Sequence, residues 1–310
     1  MNHKRCNLVI IICIRLIGLT VNCTAKEYKW SELKKKDEFV TFLGSYQDYW
    51  IDWSPDSNKV VALSAMSGLG IQVIDLSRCF YEENDYGFML PTKLEKGYDN
   101  PFIWYSITKD KPIHQGAPTW SGKDNIIAYI EFDKDFEQSS LKLYDLSLRK
   151  METKKFRNIL KIKGIDFSWN KYLLAIYSDN NLLIWDYNKD EIVKKWKAPE
   201  QISQVSWFPD DEHLLITYSH KAAYKISLTN DLKPELFLEN AHYGNCSFVP
   251  NTTKIVVGSR DGLVLYDYQT GSKKLITKGF AYQPQVSPDG KFVAYIAESP
   301  YYGGFIAPIR

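Results

Sequence analysis

A turn followed by an unbroken apolar strand is written six times along the chain, as WIDWSPDSNKVVALSA, APTWSGKDNIIAYIE, IDFSWNKYLLAIYS, QVSWFPDDEHLLITYS, NCSFVPNTTKIVVGSR and PQVSPDGKFVAYIAE. In each copy a short segment ends on an aromatic residue or Val (Trp53, Trp120, Trp169, Trp207, Phe248, Val286). Most copies then turn on Pro, Gly, Asp or Asn, whose restricted or permissive dihedrals suit a tight turn. The strands that follow, VVAL, IIAY, LLAI, LLIT, IVVG and FVAY, lack polar alternation, so both of their faces must be buried. Third strands (IQVIDLS, LKLYDLS, LLIWDYN, AYKISLT, LVLYDYQTG) and more polar fourth strands (WYSITKD, METKKF, EIVKKWK, PELFLE, SKKLIT) complete the units. A unit of this kind cannot cover its own two faces and has to be stacked between copies of itself.

The turn prolines Pro209, Pro250 and Pro288 recur at roughly 40 residues, the period of propeller blades. The fold expected is all-β: a six-bladed β-propeller of four-stranded blades over residues 37–310. A load of 21 Tyr, 15 Phe and 9 Trp agrees with strands. After FVAY the last copy has room only for a third strand, in SPYYGGFIAPIR. Its fourth strand is expected from DEFVTFLG, residues 37–44, so that the two ends of the chain pair in one blade and no edge stays open.

WSPDSNKVVAL and SPDGKFVAYIAE resemble the WD-repeat-like propeller repeat of TolB-type periplasmic proteins and of the propeller domain of prolyl-oligopeptidase-type enzymes. NCSFVPNTTKIVVGSRDGLVLYDYQTG and LLIWDYN are similar to ordinary WD repeats. The likeness spans residues of about 37 to 310 and implies fold more than function.

Residues 1–25 have a basic start (Lys4, Arg5), an apolar run and a Cys23-Thr24-Ala25 end, the grammar of a signal peptide cleaved after Ala25. LTVNC also resembles a lipoprotein box, which would place a lipid on Cys23, and an uncleaved anchor or a cytoplasmic chain is the third option. The expectation is an exported chain, periplasmic or secreted, with residues 26–36 as a linker and with membrane contact only through a lipid or anchor. The chain carries 39 Lys and Arg against 37 Asp and Glu, and Lys4, Arg5 and Arg15 lie in the leader beside no acid. The remainder is close to neutral, which argues against nucleic acid as a partner. Of five cysteines, Cys6, Cys13 and Cys23 precede residue 26; Cys79 and Cys246 fall in different repeats and are expected as separate thiols.

No Gly-x-Ser-x-Gly elbow, phosphate-binding glycine loop or paired metal histidines occur in the sequence. Asp133, Asp135 and Glu137 alternate as calcium ligands can, but lack the glycine and distal Glu of a helix-loop-helix site and read as a hairpin turn. No cofactor and no metal are expected. Two regions remain as binding candidates. Loops entering the inner strands converge at one channel mouth and supply Tyr46, Gln47, His114, Gln115, Gln201, His242, Tyr243, Tyr282 and Gln283, a polar set suited to a peptide or small polar molecule. A long insertion at about 78–102 carries Phe80, Tyr81, Tyr86, Phe88, Met89, Tyr98 and Phe102, suited to a partner surface or to covering the blade's flank. The reading is a non-enzymatic, monomeric binding module for a protein or peptide. The alternatives are a hydrolase- or lyase-type enzyme with residues converging at the channel, or a structural subunit of an envelope complex.

Overall fold

The second strand of each repeat unit is the apolar one, and in the computed structural model it lies inside a sheet whose neighbours cover both faces. The structure describes residues 26–44, 50–64, 70–83, 89–94, 105–108, 115–156, 159, 161–218, 222–229, 232–239, 246–298 and 303–310. Six sheets run in chain order. The first joins Ile51–Trp53, Lys59–Ser64, Gly70–Asp75 and Tyr105–Ser106. The second runs from Gln115–Trp120 to Lys150–Lys154, the third from Gly164–Phe167 to Glu191–Lys197, the fourth from Ile202–Trp207 to Pro234–Glu239, and the fifth from Cys246–Phe248 to Lys273–Leu275. Each of these five has four antiparallel strands in sequence order. The architecture is that of a β-propeller.

The sixth sheet, begun by Ala281–Val286, Phe292–Ala297 and Gly303–Pro308, is completed from the other end of the chain. Thr41–Gly44 pairs antiparallel with Gly303–Pro308, Thr41 facing Ile306, which is the pairing expected for segment 37–44. The sheet then continues outward through Met89–Leu94, Cys79–Glu83 and Glu27–Lys29 to seven strands.

Two expectations are corrected here. Residues 26–36 are not a linker: they form the strand Glu27–Lys29 and the short helix Trp30–Leu33, whose first turn is held by Lys29 N–H donating to Glu32 Oε2 at 2.7 Å. Trp30 and Leu33 are buried, and the Trp30 ring lies 5.3 Å from that of Phe292 and 6.1 Å from those of Phe39 and Tyr81. Of the two readings of the insertion, covering the blade's flank is the one its described part follows, and the partner-binding reading of Tyr81 is the second expectation corrected. Its described part is a hairpin that extends the sixth sheet, where Met89 N–H donates to Val40 O at 2.8 Å. Tyr81, named above as a partner-binding residue, is fully buried and donates its hydroxyl to Leu76 O, and Met89 is buried with it. Both pack in one cluster with Trp30 and Phe39, which is what buries them. Phe80 is half-buried beneath Lys29 Nζ; Tyr86, Phe88, Tyr98 and Phe102 lie outside the described residues.

Apolar side chains between sheets form six clusters, each joining two successive sheets. One of them joins the ends: Trp53, Val60, Ala62 and Ile74 of the first sheet pack with Phe292, Ala294, Ile296 and Ile306 of the sixth. At this seam Trp53 Nε1 donates to Gln285 O at 2.8 Å, and Asp289 N–H donates to Ser57 Oγ at 3.2 Å. Trp53→Phe keeps the ring but loses the indole donor, so it should cost about 1–2 kcal/mol through the orphaned carbonyl, read as a lowered midpoint of thermal unfolding.

The turns after the inner strands carry a signal that the sequence reading passed over. Ser54, Ser121, Ser168 and Ser287, each one residue past the end of an inner strand, are buried. Their hydroxyls accept backbone N–H groups from the far side of the turn: Lys59 to Ser54 at 2.9 Å, Leu173 to Ser168 at 3.2 Å, Phe292 to Ser287 at 3.0 Å, and Lys123 and Asp124 to Ser121. In the third copy the inner strand ends at Phe167, not Trp169; Trp169 sits in the turn and donates its indole N–H to Trp207 O at 3.1 Å. The acidic segment at Asp133 is a hairpin turn, with Asp133 Oδ1 accepting from Glu137 N and Gln138 N. Cys79 and Cys246 are separate buried thiols, and burial pushes them up to about 11 and about 12, so neither is a reactive thiolate.

Candidate functional site

Inner strands place every second side chain toward the shared axis, and the residue before the terminal aromatic or Val is one of these. Those residues are Asp52, Thr119, Asp166, Ser206, Ser247 and Gln285. All six line a cavity of about 60 Å³, and all but Ser247 also line an adjoining one of about 20 Å³. Aromatic walls come from Trp53, Trp120, Phe167, Trp169, Trp207 and Phe248 around the larger one.

Most of these polar groups reach sideways to the next sheet. Asp52 Oδ2 accepts from Trp120 N–H at 2.8 Å and from the Thr119 hydroxyl at 2.7 Å, while Oδ1 accepts from Trp53 N–H at 2.8 Å. Asp166 Oδ2 accepts from Trp207 N–H at 2.8 Å, and Ser247 Oγ accepts from Val286 N–H at 3.0 Å. In the opposite direction Trp207 Nε1 donates to Asp166 O at 2.9 Å, as Trp53 Nε1 does to Gln285 O across the seam. The result is a hydrogen-bonded belt between inner strands that lack backbone ladders to one another. Asp211, at a left-handed turn position (φ 53°), adds a second contact by accepting from Trp169 N–H and Asn170 N–H of the preceding sheet.

Burial dominates the electrostatics. It raises the Asp52 carboxyl to about 6 against the lowering effect of Trp120, Thr119 and Trp53. Asp166 is raised well above the usual carboxylate range, first by burial and then by the charge of Asp52. Tyr177, whose hydroxyl donates to Ser203 O, is raised by burial and by Asp166. A carboxyl whose folded pKa lies above its unfolded value contributes stability below about pH 4 that is lost as pH rises through about 6. For Asp52 this is on the order of 3 kcal/mol. Asp166→Asn should therefore gain stability relative to the parent as pH rises from about 4.5 to about 7.5, measured as the difference in thermal midpoint at each pH; a pH-independent difference would contradict the buried-charge account.

Of the channel-mouth residues expected from sequence, Tyr46, Gln47, His114, His242 and Tyr243 lie outside the described residues. Gln115 begins an inner strand. Gln201 is exposed. Tyr282 is half-buried and packs against the cluster at the seam, and Gln283 sits beside it at φ 50° within an irregularity of the strand. Cys23 also lies outside the described residues. Among the described residues two carboxylates, Asp52 and Asp166, line the channel, and no group of three or more His, Cys, Asp or Glu suited to a metal occurs. No helix among the described residues is long and apolar enough to cross a membrane.

No protein-family model matches the chain. It is 25% identical over 205 residues to the serine-threonine kinase receptor-associated protein of Bos taurus, covering 62% of this chain and 56% of that protein. The proteins of that name from Rattus norvegicus and Homo sapiens are 26% and 25% identical over 206 and 205 residues, with the same coverage. The chain thus spans little more than half the length of the curated relatives it matches. Among solved structures, that of U3-55K superposes with a TM-score of 0.57 at 11% identity, covering 87% of this chain and 98% of the other, which is a likeness of fold. These similarities support a WD-repeat-like propeller.

Proposed function

We propose that the six sheets are the six blades of one closed ring, and that this ring is a non-enzymatic scaffold for protein or peptide interaction. The observation that carries this reading is the inter-sheet belt: Asp52, Thr119, Asp166 and Ser247 are engaged in holding neighbouring blades together. These bonds serve architecture, and recognition of a protein or peptide falls to loops and rims. The curated relatives are receptor-associated by name, and the proposal extends association with a protein to this chain. Exposed Ile192, Val193 and Leu236 on outer strands add apolar area at the rim.

The channel mouth is the surface to test, without Tyr282, which serves the core. Changing Gln47, His242 and Tyr243 together to Ala should abolish capture of the wild-type chain's partners from its native host while leaving the thermal midpoint within a few degrees, the outcome expected of residues that serve recognition and not packing, whose substitution moves stability by about half a kcal/mol. Retained capture moves the site to the rim. Export completes the proposal: N-terminal sequencing of the native product should begin near Lys26, a lipid-modified Cys23 would put the ring on a membrane surface, and an intact Met1 would end the export reading.

A further inference from the structure

We propose that the channel cavity shared by Asp52 and Asp166 binds a small cation. The site goes beyond the scaffold reading and does not depend on which partner the ring takes.

Asp52 and Asp166 come from the first and third sheets and border both parts of the cavity. Among the described residues that line those parts, only these two carry an ionisable carboxyl and none is a lysine, arginine or histidine that could balance them. Buried charge is ordinarily paired or placed against a metal. The belt bonds described above use one N–H on Asp166 Oδ2 and three donors on the two oxygens of Asp52. A carboxylate offers about four lone-pair positions, so acceptor capacity is left on both groups.

Gln204 supplies an independent observation. Only 9% exposed, it borders the same cavity as both carboxylates. Its Nε2 donates to Ser206 Oγ at 3.3 Å, while its Oε1 is buried with no hydrogen-bond partner. An unsatisfied buried carbonyl costs about 1–3 kcal/mol, and a cation in the cavity would give it a partner. What the cavity lacks is positive charge.

Carboxylate, amide and hydroxyl oxygens suit a hard cation, and the same donor set suits a primary ammonium group. The part that Gln204 borders, about 20 Å³, holds one ion or the tip of an amine, and the adjoining part of about 60 Å³ adds room for a water or two. Trp53, Trp120 and Trp207 wall the cavity and report its occupancy by fluorescence.

The full chain, stripped with a chelator, is titrated at constant ionic strength with calcium chloride and separately with methylammonium chloride, against choline chloride. At least one of the first two should give a saturable change in tryptophan emission, with a midpoint at or below about 1 mM. Saturation by calcium assigns a metal ion, saturation by methylammonium assigns an amine head. Asp166→Asn, which keeps an acceptor for Trp207 N–H, should abolish the change. Gln204→Met, which touches none of the inter-sheet belt bonds, should weaken it tenfold or more and decides the matter if the first variant does not fold. Absence of a saturable change with either salt, or binding by folded Gln204→Met equal to the parent, overturns the proposal.

Discussion

Deleting residues 26–44 should abolish the cooperative unfolding transition, with loss of near-ultraviolet circular dichroism at temperatures where the parent is folded. The segment removes Trp30, Leu33, Phe39 and Leu43 from the cluster that joins the first and sixth sheets, all of them buried. Large apolar side chains lost from such positions cost about 2–5 kcal/mol each, and a domain's whole net stability is about 5–15 kcal/mol. The deletion also strips Gly303–Pro308 of its partner strand, exposing an edge that carries the buried Phe305 and Ile306. Soluble aggregates are therefore expected at micromolar concentration. A deleted chain that unfolds at the parent's midpoint would mean that the ring does not depend on its seam.

Trp207→Ala should be the most damaging single substitution in the belt, at about 3–5 kcal/mol. The side chain is 1% exposed and fills the space between the third and fourth sheets with Tyr177, Val205 and Ile216. Its indole N–H satisfies Asp166 O, and its own carbonyl accepts from the Trp169 indole at 3.1 Å. Alanine leaves a cavity and an orphaned buried carbonyl together. With about 2–4 °C per kcal/mol in a chain of this size class, the thermal midpoint should fall by about 10 °C. Trp207→Phe, which restores volume without the donor, should recover more than half of that loss. If Phe is as harmful as Ala, the hydrogen bond matters more than the packing described here.

The repeated turn and the apolar second strands were legible because burial on both faces erases polar alternation, and VVAL, LLAI or FVAY have no other ready use. The closing strand was legible as an unused segment, and its pairing is seen at Thr41–Gly44. Tyr81 and Trp30 were not legible, because what buries them is each other and Phe292, more than 200 positions away along the chain. Local composition marks such a pair as a loop aromatic and a linker aromatic. Trp169 was misplaced by two residues for a related reason: an aromatic at a turn and an aromatic at a strand end look alike until their indoles choose Trp207 O or the preceding sheet. At the channel, loop residues drew attention by type, while Asp52, Asp166 and Gln204 stood inside strands, where one polar residue beside a tryptophan carries no pattern of its own.

Amide hydrogen exchange of the intact chain tests the closed ring most directly. Peptides covering Thr41–Gly44 and Gly303–Pro308 should exchange as slowly as Leu173–Ser178 in the third sheet, because opening the seam and opening the ring are one event. Rapid exchange at Thr41–Gly44 with full protection retained at Leu173–Ser178 would show an open array of blades and contradict the account.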